Sequence, residues 1–208
     1  MLFRSRDTKE KAQFSVDNLT ATIDGLLADI QQNMFNKALA FRDARITTIY
    51  EGTTAIQAND FVGRKLAMDR GAAMQTLLAD MRATLTGLEA APGEDLAAIR
   101  AQFAPAVAAL EDAAGWVVEN YEARTADVLG AAFNLLMLAG CVCGGWQLAR
   151  AALVASEKLA AGEDPKFYGA KLVTARFYAE QLLPRAAALL VSARAGATAM
   201  MALDPEQL

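Results

Sequence analysis

The sequence predicts an all-α protein, an antiparallel helix bundle with an N-terminal helical extension. Three observations carry this. The chain has 208 residues and is 54 % apolar yet only 7 % aromatic, because alanine and leucine supply much of the apolar content, as in packed helices. From about residue 15 onward apolar residues recur at steps of three and four, and almost nothing alternates. Breakers cluster at a few places, notably "AAPGED" and "AGEDP".

Element by element, Val16, Leu19, Ile23, Leu26, Leu27, Ile30, Met34, Ala38 and Phe41 follow the helical step, with Phe35 and Leu39 widening the apolar face. Ser15 or Asp17 can cap that helix, and one continuous helix over 16–41 is expected. A second helix should run from Thr54 towards Leu66, with a pause at "MDRGAA". A third covers Ala72 to Leu88 and ends where Pro92 and Gly93 break the pattern. A fourth spans Asp95 to Tyr121, with Pro105 marking an N-terminal turn or a kink. The fifth begins near Thr125. Asp164 caps the sixth, with Pro165 at its first position, and Pro184 is expected to kink that helix rather than end it. Short connections make the helices antiparallel neighbours.

Charge excludes one class of partner. The formal net charge is −4 with both signs spread along the chain, whereas a nucleic-acid surface needs a basic stripe. The start is crowded with Arg4, Arg6, Asp7, Lys9, Glu10 and Lys11 and has no apolar run of the kind a signal peptide carries. The only cysteines, Cys141 and Cys143, stand two apart and point to different faces of a helix. No disulfide closes between them there, and two thiols without a single histidine are too few for a zinc site. No metal site is expected, and reduced, buried thiols fit a cytoplasmic location. Residues 128–146, "VLGAAFNLLMLAGCVCGGW", reach the length of a bilayer span. Asn134, the many small residues and the absence of a basic cluster on either flank favour the central helix of a bundle over a membrane span. Gly130, Ala139, Gly140, Gly144 and Gly145 would let neighbouring helices approach closely.

The stretch 45–60, "RITTIYEGTTAIQAND", holds the candidate chemistry. One reading is structural: Gly52 stops one helix, and Thr54 with Gln57 three residues later has the form of a capping box for the next. The other is functional: Glu51 faces a substrate while the positive end of the new helix faces a phosphate or a ring system. Spacing alone favours the structural reading, although it gives no reason for a glutamate before the glycine.

Residues 42–66, "RDARITTIYEGTTAIQANDFVGRKL", resemble the C-terminal part of acyl-CoA dehydrogenases, in which "YEGT" followed closely by "IQ" is characteristic. "RGAAMQTLLADMRA", "GGWQLARAAL" and "FYGAKLVTARFYAEQLLP" resemble the extra helical domain of a long subgroup that includes 3-methylmercaptopropionyl-CoA dehydrogenases. The resemblance covers residue 42 to the C-terminus. It implies that Glu51 is the base removing the α-proton of an acyl-CoA thioester while hydride leaves the β-carbon for a flavin. By the same resemblance Gly52 lies against the thioester, and Thr53, Thr54 and Ala55 approach FAD.

Residues 6–44, "RDTKEKAQFSVDNLTATIDGLLADIQQNMFNKALAFRDA", resemble the end of the anticodon-binding region of an archaeal- or eukaryote-like prolyl-tRNA synthetase. The expected organisation is therefore a chimera: 1–41 a synthetase-like tail and helix, 42–68 the dehydrogenase motif segment, and 69–208 the dehydrogenase's C-terminal helical domain. In the dehydrogenase family most of the flavin and acyl-CoA pocket precedes the motif, so no catalysis is expected of these residues alone. Self-association or a partner subunit is expected through apolar surface that the absent portion would cover. The alternatives are a helical structural or interaction module, or a synthetase-derived protein without catalysis.

Overall fold

The computed structural model describes residues 2–4, 11–13, 19–49, 53–203 and 205–207. The chain divides into two compact units, Met1–Gly52 and Thr53–Leu208.

In the first unit, strands β1 (Leu2–Arg4) and β2 (Lys11–Gln13) pair antiparallel, with Phe3 opposite Ala12. This small hairpin lies ahead of the helical pattern. Helix α1 then runs from Leu19 to Ile49. The candidate caps Ser15 and Asp17 lie outside the described residues. The helix extends eight residues beyond the expected end at 41, because "RDARITTI" holds no glycine or proline to stop it. Ile23, Leu27, Met34 and Phe35 on it are exposed.

The second unit is the bundle. Helix α2 (Thr54–Asp60) continues without a break into a π-helical segment, Phe61–Ala67. Then come α3 (Ala72–Ala90), α4 (Glu94–Asn120), α5 (Thr125–Ala160), α6 (Pro165–Gln181) and α7 (Arg185–Arg194), and a last 3-10 turn spans Pro205–Gln207. Cross-links set the directions. Arg82 pairs with Glu111 and Arg100 with Glu89, so α3 and α4 are antiparallel. Trp146 Nε1 donates to Thr84 Oγ1 at 2.8 Å and Leu153 lies against Gly87, so α3 and α5 run parallel. Arg176 pairs with Asp95 and Arg194 with Asp112, so α6 and α7 follow α4. The result is an up-down-up-down bundle, as the sequence predicts.

Helix α5 is long and apolar enough to cross a membrane by length and composition, yet here it is the central helix, packed by α2, α3, α4, α6 and α7. Its buried face is Val128, Ala131, Leu135, Leu138, Val142, Ala149 and Ala152, which interleaves with Leu78, Met81, Phe103, Leu110 and Val117. The small residues divide. A Cβ at Gly145 would stand 2.6 Å from Leu183, and one at Gly144 would stand 2.6 Å from the Tyr178 hydroxyl. Gly140 instead faces open space, so it admits no neighbouring helix in this structure.

The breaks are chemically specific. At "MDRGAA" the Asp69 carboxylate accepts from the amides of Gly71 (3.0 Å) and Ala73 (2.9 Å), capping α3. The Asp164 carboxylate caps α6 by accepting from Phe167 N at 3.1 Å, with Pro165 in the first turn. Helix α4 passes through Pro105 unbroken. Pro184 corrects the expectation of a kink. Helix α6 stops at Gln181, residues 182–184 turn, and Pro184 begins α7. Proline has no N–H for the bond to residue 180 and its ring collides with that carbonyl, so the helix ends a turn earlier and restarts.

Candidate functional site

Glu51 and Gly52, the expected base and thioester contact, lie outside the described residues. Immediately after them, Thr53 is the N-cap residue of α2, with φ −103° and ψ 0°, and its carbonyl accepts from Gln57 N at 2.8 Å. Its side chain makes no capping hydrogen bond. The expected capping box between Thr54 and Gln57 is therefore not formed: Thr54 already belongs to the first helical turn, one position too late to cap it. Thr54 and Ala55 are exposed and Thr53 is half-buried.

Thr53, Thr54 and Ala55 offer one open edge at a helix start. Three small residues at one helix start are too little surface to hold a flavin by themselves. Residues 53–67 are anchored by Ala58, Val62 and Leu66, all within the core, so the helix carrying the motif is fixed to the bundle by one buried stripe at four-residue spacing.

One turn further on, a cleft of about 880 Å³ opens between the π-helical segment and the end of α4, lined among others by Asn59, Arg64, Arg70, Tyr121 and Glu122. The π turn makes room there: Met68 N donates to Gly63 O and Gly71 N to Leu66 O, each five residues back. Arg64 is held by Asp60, Nε to Oδ1 at 2.5 Å, and Arg70 has a left-handed backbone, φ 55°. The sequence marks this place only as the pause at "MDRGAA"; the π turn has no composition signal. Among the described residues, Thr53, Thr54 and Ala55 do not line the cleft.

The ionisable groups inside the bundle are structural. Burial pushes the Tyr178 hydroxyl up to about 12, and it donates to Cys141 O at 3.0 Å. Burial also pushes the Cys141 and Cys143 thiols above their ordinary value. Both thiols are free and half-buried rather than fully buried. The amide of Ala197 and then Arg124 hold Asp127 below the usual carboxylate range. The amide's bond to that carboxylate, 2.8 Å long, ties the segment after α7 to the start of α5. It also requires Gly196, whose φ is +66° and whose Cβ would stand 2.6 Å from the carboxylate. Among the described residues no cluster of three His, Cys, Asp or Glu side chains could hold a metal ion.

Comparison with known proteins fits this helical geometry. The family described as acetyl-CoA dehydrogenase C-terminal like matches residues 77–204. The chain is 36 % identical over 168 residues to 3-methylmercaptopropionyl-CoA dehydrogenase of Ruegeria pomeroyi, covering 81 % of this chain and 28 % of that protein. It is 34 % identical over 162 residues to a broad-specificity linear acyl-CoA dehydrogenase of Mycobacterium tuberculosis, covering 74 % of this chain and 26 % of that one. A shorter similarity, 43 % over 44 residues, is to proline–tRNA ligase of Bacteroides fragilis, covering 21 % of this chain and 9 % of the ligase. The chain thus spans little more than a quarter of the length of the two dehydrogenases. With the matched region running from the middle of α3 through α7 and beyond, more than half of its residues, this chain belongs to the acetyl-CoA dehydrogenase C-terminal-like family.

Proposed function

We propose that the chain serves as the C-terminal helical domain of an FAD-dependent acyl-CoA dehydrogenase, and that these 208 residues alone do not catalyse. The observation that carries the reading is the family match over 77–204, joined to a core that fixes the motif-bearing α2 onto that bundle. Glu51 is the α-proton base in this reading, Gly52 lies against the acyl-CoA thioester, and Thr53, Thr54 and Ala55 form one edge of the FAD site. A base of this kind works only when burial lifts it above the ordinary glutamate pKa of about 4.3 and the substrate is held within hydrogen-bond reach. The open edge at Thr53–Ala55 supplies neither wall. The missing walls belong to a flavin-binding portion that these residues do not contain.

The organisation we favour keeps 1–41 as a synthetase-derived tail and helix, 42–68 as the motif segment and 69–208 as the dehydrogenase domain, a chimera in the cytoplasm. The short similarity to proline–tRNA ligase supports it. We further take the chain to associate with itself or with a partner subunit. A second reading, a helical interaction module without chemistry, is favoured by the many large apolar side chains left exposed.

The test is purification followed by a visible spectrum and dye reduction with short- and medium-chain acyl-CoA and added FAD. The expected result is a colourless protein with no turnover. Turnover that vanishes in Glu51→Gln would overturn the proposal of inactivity and give the chain a complete site.

A further inference from the structure

We propose that the cleft between the π-helical segment and the end of α4 binds a small dipolar molecule, with an oxyanion at one end and an ammonium group at the other. The backbone of Arg70 leads there. Gly71 N donates to Leu66 O at 2.8 Å and Arg70 N to Ala67 O at 3.1 Å, the paired bonds that close a helix C-terminus. In that motif residue 70 takes a left-handed backbone, φ 55°, a position ordinarily filled by glycine.

Nothing in the fold accounts for an arginine here. The Asp69 carboxylate caps α3, and Gly71, with φ 82°, turns the chain. The Arg70 side chain is exposed and, among the described residues, has no hydrogen-bond or ion-pair partner. A residue held in a strained conformation that its own fold does not use points to a function.

The cleft beside it holds other groups in the same condition. At about 880 Å³ it has the size of a small-molecule site. Arg64 is already taken up by Asp60. Glu122 and the Tyr121 hydroxyl also line the cleft and also lack a partner among the described residues, and Arg70 and Glu122 do not pair with each other. Gly63 makes room for the phenol, since a Cβ there would stand 3.0 Å from its oxygen. Met68 and Val118 add an apolar part to the wall.

These groups select the chemistry of the ligand. An uncommitted guanidinium takes an oxyanion, two oxygens at a time. An uncommitted carboxylate takes an ammonium, the phenol can bond to either end, and the apolar wall covers a short carbon linker. A simple anion would meet Glu122 as a like charge and a simple cation would meet Arg70 so. A molecule carrying both charges avoids each repulsion. This inference goes beyond the dehydrogenase reading and does not depend on it, because Thr53, Thr54 and Ala55 are not on the cleft.

The experiment is isothermal titration calorimetry on the full chain. O-phosphoethanolamine and β-alanine share the two charges and differ in the oxyanion, while ethyl phosphate and ethylamine each lack one charge. The expected result is saturable binding of a dipolar probe at least roughly tenfold tighter than of either singly charged one. Tighter O-phosphoethanolamine marks a phosphate-bearing ligand, and tighter β-alanine a carboxylate. Arg70→Gly should weaken the dipolar probe by roughly tenfold to a hundredfold and at the same time raise the urea midpoint, a combination that a merely structural arginine does not give. Glu122→Gln should abolish the preference for the dipolar probe over the singly charged anion. No saturable binding of any probe at millimolar concentration overturns the site. Equal affinity for the dipolar and singly charged probes overturns the ligand class, and binding unchanged in Arg70→Gly, or a lowered midpoint, overturns the role of Arg70.

Discussion

Replacing Gly145 by alanine should destabilise the bundle, whereas the same change at Gly115 should stabilise it. Both glycines lie inside long helices, α5 and α4, where alanine is worth about 1 kcal/mol over glycine. At Gly115 nothing lies within 4 Å of the new methyl, so most of that gain is kept, about 0.5–1 kcal/mol. At Gly145 the methyl would stand 2.6, 3.0 and 3.1 Å from Cδ2, Cδ1 and Cγ of Leu183. The nearest of these is about 1 Å inside carbon contact distance. Leu183 is 2 % exposed in the tight turn between α6 and α7, and because Cγ is among the crowded atoms, rotating the methyl groups does not clear the clash. Overpacking of this kind costs about 1–3 kcal/mol, which leaves Gly145→Ala net destabilising by about 0–2 kcal/mol. The two variants should therefore differ by about 0.5–3 kcal/mol. The assay is urea unfolding at one protein concentration, followed by tryptophan fluorescence, since Trp116 and Trp146 both sit in the bundle. Leu183→Ala supplies the cross-check: part of the cavity it leaves is filled by the methyl that Gly145→Ala adds, so the double variant should lose less than the sum of the singles. Equal stabilisation by the two alanines would refute the packing argument.

Two further outcomes rest on buried polar groups. Thr84→Val should cost about 1–3 kcal/mol in the same assay, because the valine leaves Trp146 Nε1 without its acceptor, while Thr84→Ser keeps the bond and most of the stability; similar losses in both variants would contradict this. Tyr178, Cys141 and Cys143 all have folded pKa values raised above their unfolded ones. Their contribution to stability is therefore fully present below the ordinary thiol value of 9.0 and is lost as pH rises through the folded values. The urea midpoint should fall above that pH, and the two thiols should react with an aromatic disulfide at about pH 8 more slowly in the folded protein than in urea. Equal rates in the two states would count against burial as the cause.

The bundle was legible because its signals are local and repeated. The ends of α3 and α4, the start of α5 and the start of α6 lie close to the expected residues, since Pro92, Gly93 and the Asp164–Pro165 pair act on their own neighbours. The misreadings lie at the boundaries of elements. "RDARITTI" carries no breaker, so α1 continues past the expected end at 41. Thr53 takes the capping position that the Thr54–Gln57 spacing suggested for Thr54. At Pro184 the helical period on both sides concealed a full stop, because periodicity records which residues face the core and not whether the backbone is continuous. The expected site rests on resemblance alone, because the spacing around Glu51 has a sufficient structural account, and the cleft beside Arg70 has no motif to announce it.

The turn at 182–184 has a consequence for the phase of the last helix. From Asp95 to Asp112 helix α4 advances 17 residues, while from Arg176 to Arg194 the stretch of chain beside it advances 18. The two ion pairs thus span nearly equal lengths of chain, and α7 continues beside α4 in the direction of α6. One residue of an α-helix is about 100° of rotation. Deleting any residue of the turn would swing Ala186 and Ala193 off the core and bring the exposed Val191 towards it. The proline and its two leucines thus act as a spacer of fixed angular size, besides the packing of Leu183 on Gly145.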